Sequence, residues 1–234
     1  MKRSLDEHAA RFDEYAAAYD EDKSDEYLAC VSLVVEHAAG EARSASDTAT
    51  GRSPGALTAD DVVLDLGTGT GAVALALAPD AGRVIGRDIS EGMMERARKK
   101  AAERDIGNVE FGEGTFREPN VEGPVDIVVS NFAMHHLSDA EKREAVRTVA
   151  DLGPRRFVLG DVMFFGEPDP EEPFYDPSVD DPATVGLLAD ALTDAGFALT
   201  AVEMVHEQVG VLVAERATEP EPTHQDEPVG MTED

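Results

Sequence analysis

VVLDLGTGTGAVALALA, residues 62–78, passes from a β-branched apolar run to a helical one through three glycines. Val62 to Leu66 reads as a buried strand, Ala72 to Ala78 as a helix closed by Pro79, and Gly67, Gly69 and Gly71 as the turn between them. In an open α/β sheet, ligands sit beyond the carboxyl ends of the strands, where glycines let the backbone turn tightly and approach them. The spacing is Gly-x-Gly-x-Gly, not the Gly-x-Gly-x-x-Gly of dinucleotide-binding turns, and Asp65 precedes it. A carboxylate there opposes a pyrophosphate and suits a ligand carrying an ammonium and a sulfonium. The other reading is that Asp65 only caps the turn.

Working outward, the β/α order repeats. RVIGRD (83–88) is a strand, Ser90 an N-cap, and EGMMERARKKAAER a helix with acid at its start and base toward its end. Asn108 to Gly112 and VDIVVSN (125–131) are further strands, and Ser138 to Ala150 is a helix opened by a Ser-Asp-Ala-Glu capping box. RRFVLGDVMF (155–164) is a fifth strand, a helix is expected at 182–195, and FALTAVEMV and QVGVLVAER form an antiparallel pair turning near His206 to Gln208.

N-terminal to this core, Phe12, Tyr15 and Tyr19 lie on one helical stripe, and Leu28, Val31, Val34 and Val35 on a second. The expected organisation is therefore a helical cap and polar linker (1–56), one ligand-binding domain (57–217) and a disordered Pro/Glu-rich tail (218–234).

The chain carries 49 acidic against 20 basic side chains, a formal net charge of -29, with lysine only at positions 2, 23, 99, 100 and 142. A surface so negative repels phosphate backbones, so nucleic acid is not the expected partner. The pattern suits a salt-rich, halophilic cytoplasm, where screening shortens the reach of surface charge. A hydrophobic content of 42% still provides a core. Cys30, the single cysteine, rules out an intramolecular disulfide or a cysteine metal cluster. With no long apolar run, the expectation is a cytoplasmic chain without a membrane partner, monomeric or homodimeric.

Asp88 ends the second strand about twenty residues past the glycines, where a carboxylate accepts the hydroxyls of a ribose. Its alternative is helix capping, for which Ser90 is better placed. Ile89 and Met93 would then wall an adenine ring.

Together, VVLDLGTGTGAVALALA, RVIGRDISEGMMERARKKA, NVEFGEGTFREP, VDIVVSNFAMHHL and RRFVLGDVMF resemble the class I S-adenosylmethionine-dependent methyltransferases, in the group with UbiE-like and type 11 small-molecule members. The resemblance covers about residues 57–215. It implies a Rossmann-like α/β fold: a seven-stranded, mostly parallel sheet with an antiparallel last strand, helices on both faces and an N-terminal helical cap. It also implies S-adenosyl-L-methionine as cofactor, with Asp65, Gly67, Thr68, Gly69 and Gly71 around its methionine portion and Asp88 on its ribose. Where many relatives have Gly-Asp-Ala with the aspartate on the adenine amino group, this chain has Glu113-Gly114-Thr115-Phe116. Thr115 takes the aspartate's place, and Phe116 can flank the ring. Asn131 and Phe132 fall beside the methionine end, and Tyr19 in a segment that covers the cofactor in many relatives.

Methyl transfer needs alignment and exclusion of water more than a catalytic group. For a hydroxyl or protonated-amine acceptor, His135 and His136 are placed to serve as base; equally, they order the loop. No spacing of His, Asp and Glu suggests a metal site. The expected acceptor is a small molecule. A nucleic-acid base enzyme would carry Asn or Asp followed by Pro-Pro-Tyr where this chain has Asn131-Phe-Ala-Met-His; tRNA and protein acceptors stay open. The remaining alternatives are a nucleotide-dependent oxidoreductase, whose glycine spacing and catalytic Tyr and Lys are not found, and a noncatalytic cofactor-binding domain.

Overall fold

The computed structural model describes residues 5–21, 23–40, 55–167 and 174–216. Most of the expected linker and the whole expected tail lie outside the described residues. Two N-terminal helices, α1 (Leu5–Tyr15) and α2 (Asp25–Ala39), precede an alternating core: β1 (Val62–Leu66), α3 (Ala72–Leu77), β2 (Arg83–Asp88), α4 (Glu91–Glu103) and β3 (Val109–Glu113). The second half follows with β4 (Ile127–Asn131), α5 (Asp139–Asp151), β5 (Arg156–Phe164), β6 (Ala183–Thr184), α6 (Val185–Asp194), β7 (Phe197–His206) and β8 (Val209–Arg216).

The sheet order is β3-β2-β1-β4-β5-β8-β7. Neighbours from β3 to β5 pair in parallel, as helical crossovers require, whereas β8 runs antiparallel to both β5 and β7. The tight turn after His206 returns the chain directly, so β8 fills the space between its two neighbours. The seven-stranded path is as expected; the eighth strand, β6, is a two-residue addition beside β5 at Met163 and Phe164.

Strand alternation sorts the core into two layers. Leu64 and Leu66 of β1 join Val128, Leu159, Val146, Val149 and Leu188 on the α5–α6 side. Val63 joins Ile127, Val129, Val158, Cys30 and Val34 on the α2–α3 side. Burying each such Leu or Val contributes roughly 1.5–3 kcal/mol, which anchors the strand ends that carry the site. The helix starts are fixed locally: the Ser90 hydroxyl accepts the Met93 amide at 3.1 Å, and the Glu141 carboxylate accepts the Ser138 amide at 2.8 Å in the predicted capping box. Helix α6 starts at Val185, with Thr184 as its N-cap, a little later than the expected 182 because Ala183 and Thr184 pair with β5.

Candidate functional site

The three turn glycines all adopt left-handed backbone, with φ of 73° at Gly67, 53° at Gly69 and 82° at Gly71. This is why other residues are unsuited to the turn. Their surroundings differ. A Cβ on Gly67 would stand 2.3 Å from that of Ala133, so this glycine lets the β1 and β4 loops touch. A Cβ on Gly69 would meet only the Tyr19 ring edge, at 3.9 Å, which leaves an open cradle.

That cradle is part of a cavity of about 700 Å³ at the carboxyl ends of β1, β2 and β4, within the roughly 300–1,000 Å³ usual for small-molecule sites. The cavity brings together Gly67, Gly69 and Asp88 with Ile89, Met93, Thr115, Phe116, Phe132, Tyr19 and His136. Asp88 is buried; its Oδ2 accepts the Gly69 amide at 2.7 Å and its Oδ1 the Ser90 amide at 2.9 Å. Burial holds this carboxyl above the usual carboxylate range, against the lowering effect of those amides. The Thr115 hydroxyl accepts the Arg117 and Glu118 amides at 3.2 and 2.9 Å, so it shapes its own loop at the cavity wall.

Four of the expected cofactor residues, Asp65, Thr68, Gly71 and Asn131, lie behind this wall. Asp65 shares the sheet face of Val63 and is 1% exposed; its Oδ2 accepts the Thr68 hydroxyl at 2.7 Å and the Ala74 amide at 3.2 Å. Its carboxylate thus ties the glycine turn to the first turn of α3. Gly71 packs toward Ala97 of α4 and Leu75. Asn131 continues the α2 face of β4: a Cβ on Gly160 would lie 2.6 Å from both its Oδ1 and the Cys30 sulfur.

The N-terminal segment lines one side of the cavity. Asp20 pairs with Lys100 at 2.6 Å and accepts the Thr70 hydroxyl at 2.7 Å. Asp13 accepts the Ser90 hydroxyl at 2.5 Å and the Gly92 amide at 2.9 Å. Tyr19 is thereby laid over the glycines, its hydroxyl pushed up to about 12 by burial and the nearby Asp88 and Asp20. Lys23 sits over the Tyr19 ring, and burial lowers its ammonium to about 7.

His135 and His136 occupy a short 3-10 turn, Met134–His136, after β4. They part company: His136 lines the cavity, whereas His135 is buried behind it, its Nδ1 bound to Asp161 and its amide donating to the Asp161 Oδ2 at 3.0 Å. His136 Nδ1 lies 2.8 Å from Asp180, which residue spacing did not reveal. His135, His136 and Asp180 each offer a ligand atom within 4.8 Å of the others, so the site expected to lack metal-like geometry holds a His-His-Asp group. Sequence also missed Leu5, His8, Arg117 and Leu137 as cavity residues, and Phe12, recognised as part of a helical stripe, lines it too.

Residues 63–152 match the family described as a methyltransferase domain. YcgJ of Bacillus subtilis, an uncharacterized methyltransferase, is 37% identical over 121 residues, which span 50% of this chain and 45% of YcgJ. An uncharacterized methyltransferase of Oceanobacillus iheyensis is 36% identical over 107 residues, or 44% of this chain and 48% of that protein. The match therefore spans just under half the length of these relatives. The crystal structure of Bacillus subtilis YcgJ superposes with a TM-score of 0.57 at 27% identity, covering 74% of this chain and 70% of that one. Magnesium protoporphyrin IX methyltransferase from Synechocystis, solved with bound S-adenosylmethionine, gives a TM-score of 0.58 at 22% identity over 82% of this chain and 78% of its own, a likeness of fold. Residues 63–152 thus match a methyltransferase domain, and the fold around them is shared with YcgJ.

Proposed function

We propose that the chain transfers the methyl group of S-adenosyl-L-methionine to a small-molecule acceptor. The observation that carries this reading is the open cradle at Gly69 with the buried Asp88 carboxylate bonded to that glycine's amide. When bound, the cofactor supplies a methyl group activated by positive sulfur. Asp88 retains lone pairs for the ribose hydroxyls, Ile89, Met93 and Phe116 offer an apolar slot for the adenine, and Gly67, Gly69 and Tyr19 border the methionine end. Asp65 contributes indirectly, by holding the turn. The pinned N-terminal segment excludes water, which favours displacement over hydrolysis.

Arg117 and Glu141 put one charge of each sign on the cavity wall, and the net charge of -29 disfavours a nucleic-acid acceptor. The same charge supports work in concentrated salt, and the described residues contain no helix long and apolar enough to cross a membrane.

Calorimetric titration with S-adenosylmethionine and S-adenosylhomocysteine, beside NAD as competitor, tests the reading. Micromolar binding of the first two with none of NAD is expected. Binding of NAD alone would refute it.

A further inference from the structure

One end of the cavity is not explained by the cofactor residues. There the Phe12 ring meets that of His136 edge-on at 5.4 Å, and the His8 ring lies 5.4 Å from the same imidazole. Leu5 and Leu137 extend this wall, which is mostly apolar and aromatic. His136 is the ring on it with a carboxylate behind it.

That carboxylate is Asp180, from the segment that leads into β6. Its Oδ1 lies 2.8 Å from His136 Nδ1 and 4.0 Å from His135 Nε2, and its Oδ2 accepts the Asp176 amide at 2.8 Å. The segment is clamped in place. Asp181 donates its amide to the His135 carbonyl at 2.7 Å, and the buried Lys142 ammonium donates to the carbonyls of both Leu137 and Asp181. The order Asp161, His135, Asp180, His136 is therefore built into the fold, with only the last ring on the cavity wall.

An ionised carboxylate can only accept, so Asp180 selects the His136 tautomer with the proton on Nδ1 and leaves Nε2 as the basic nitrogen. Resting on the methyl-transfer reading above, we propose that the acceptor is a flat, largely apolar molecule bearing a hydroxyl, that Nε2 of His136 takes the hydroxyl's proton, and that Asp180 is the positioning residue for this base. As the oxygen–methyl bond forms, the methyl–sulfur bond breaks and sulfur keeps its electron pair. The hydroxyl proton ends on Nε2, giving an imidazolium beside Asp180, and passes to water as the products leave.

The electrostatics agree with this division of labour. Burial and the neighbouring His135 hold His136 below the ordinary imidazole value, which favours its neutral form. Burial alone would depress His135 too, but Asp161 and Asp180 reverse that and hold it above the ordinary value. The groups that face or border His136 are His8 from α1, His135 beside it, Asp180 from the clamped segment, Asp161 of β5 through His135, and Arg117 and Glu141 on the cavity wall. The two adjacent histidines are thus displaced in opposite directions, which separates their roles.

The test uses 4-nitrophenol, whose anion is coloured, titrated against the full chain saturated with S-adenosylhomocysteine. Bound probe should ionise at least about one pH unit below free probe, because proton transfer to His136 creates an ion pair. In Asp180→Ala that shift should disappear, and Asp180→Glu should restore part of it, while S-adenosylhomocysteine affinity stays within about twofold in both. A wild-type probe that titrates as in water, a shift that survives Asp180→Ala, or failure of the probe to bind the loaded protein would each overturn the proposal. Failure of S-adenosylhomocysteine itself to bind would instead overturn the methyl-transfer reading beneath it.

Discussion

Asp88 holds the glycine turn from the end of the neighbouring strand: its Oδ2 accepts the Gly69 amide at 2.7 Å, and its Oδ1 accepts that of Ser90 at 2.9 Å. One carboxylate therefore joins the turn after β1 to the start of α4, at the wall of the cavity. Hydrogen bonds to a charged group contribute more than neutral ones, and both of these are sheltered from water.

Replacing Asp88 by alanine removes the carboxylate proposed to hold the ribose and releases the Gly69 amide together. Calorimetry should show S-adenosylhomocysteine affinity falling by about 10- to 100-fold, or roughly 1.4–3 kcal/mol. The strand core beneath is untouched, so thermal unfolding should remain a single cooperative transition. Unchanged affinity would remove Asp88 from the cofactor site.

The two cradle glycines should respond differently to the same methyl group. Gly69→Ala pays the left-handed backbone penalty, roughly 1–2 kcal/mol, and places its Cβ toward the Tyr19 ring edge, so ligand affinity should fall more than stability does. Gly67→Ala drives its Cβ to 2.3 Å from that of Ala133. Because both sides of that contact are tight loops, overpacking adds about 1–3 kcal/mol to the backbone penalty. Urea denaturation should rank Gly67→Ala as the less stable protein; the reverse order would contradict the packing described.

Lys142 is 1% exposed, and its ammonium ties the loop after the histidines to the segment carrying Asp180. Lys142→Met keeps the length of the side chain and leaves two sheltered carbonyls without their cation. Each such group costs about 1–3 kcal/mol, so a clear loss of stability is expected. Amide hydrogen exchange should speed up at residues 174–182 and not in β1 or β4. Uniform acceleration across the sheet would mean that Lys142 is an ordinary part of the core.

What could be read from the residues follows the range of the interactions involved. The glycine turn, strand alternation and the Ser90 and Ser138 caps are local, and each carries its own signature. The place of Asp88 at the end of its strand was legible for the same reason. Asp65 was ambiguous because a carboxylate before a glycine turn serves ligand or backbone equally well, although its place two residues after Val63 puts it on the α2–α3 face. Asn131 likewise follows Ile127 and Val129 to that face. Lys142 and Asp180 could not be found this way: both sit in charge-rich stretches that read as solvated surface, and burial comes from an acidic segment folding back onto the histidine turn. The helical stripe of α1 marked Phe12 as buried without indicating the cavity it covers.

Asp65 also makes a pH-dependent prediction. Burial raises its carboxyl from 3.8 to about 7, more than the Thr68 and Ala74 hydrogen bonds lower it. Its folded-state value lies above its unfolded one, so between about pH 4 and 7 the folded chain binds the extra proton. Stability from this group accordingly falls as pH rises through that window and is at its lowest above it. Asparagine at position 65 stays neutral and can still accept from Thr68 and Ala74. The stability of Asp65→Asn relative to wild type should therefore improve from pH 5 to pH 8, with the other carboxylates cancelling in the comparison. Urea midpoints of both proteins at the two pH values measure this directly. A difference that does not change with pH would mean that Asp65 stays ionised beneath the turn, and that the turn has enough polar contact to hold a full negative charge there.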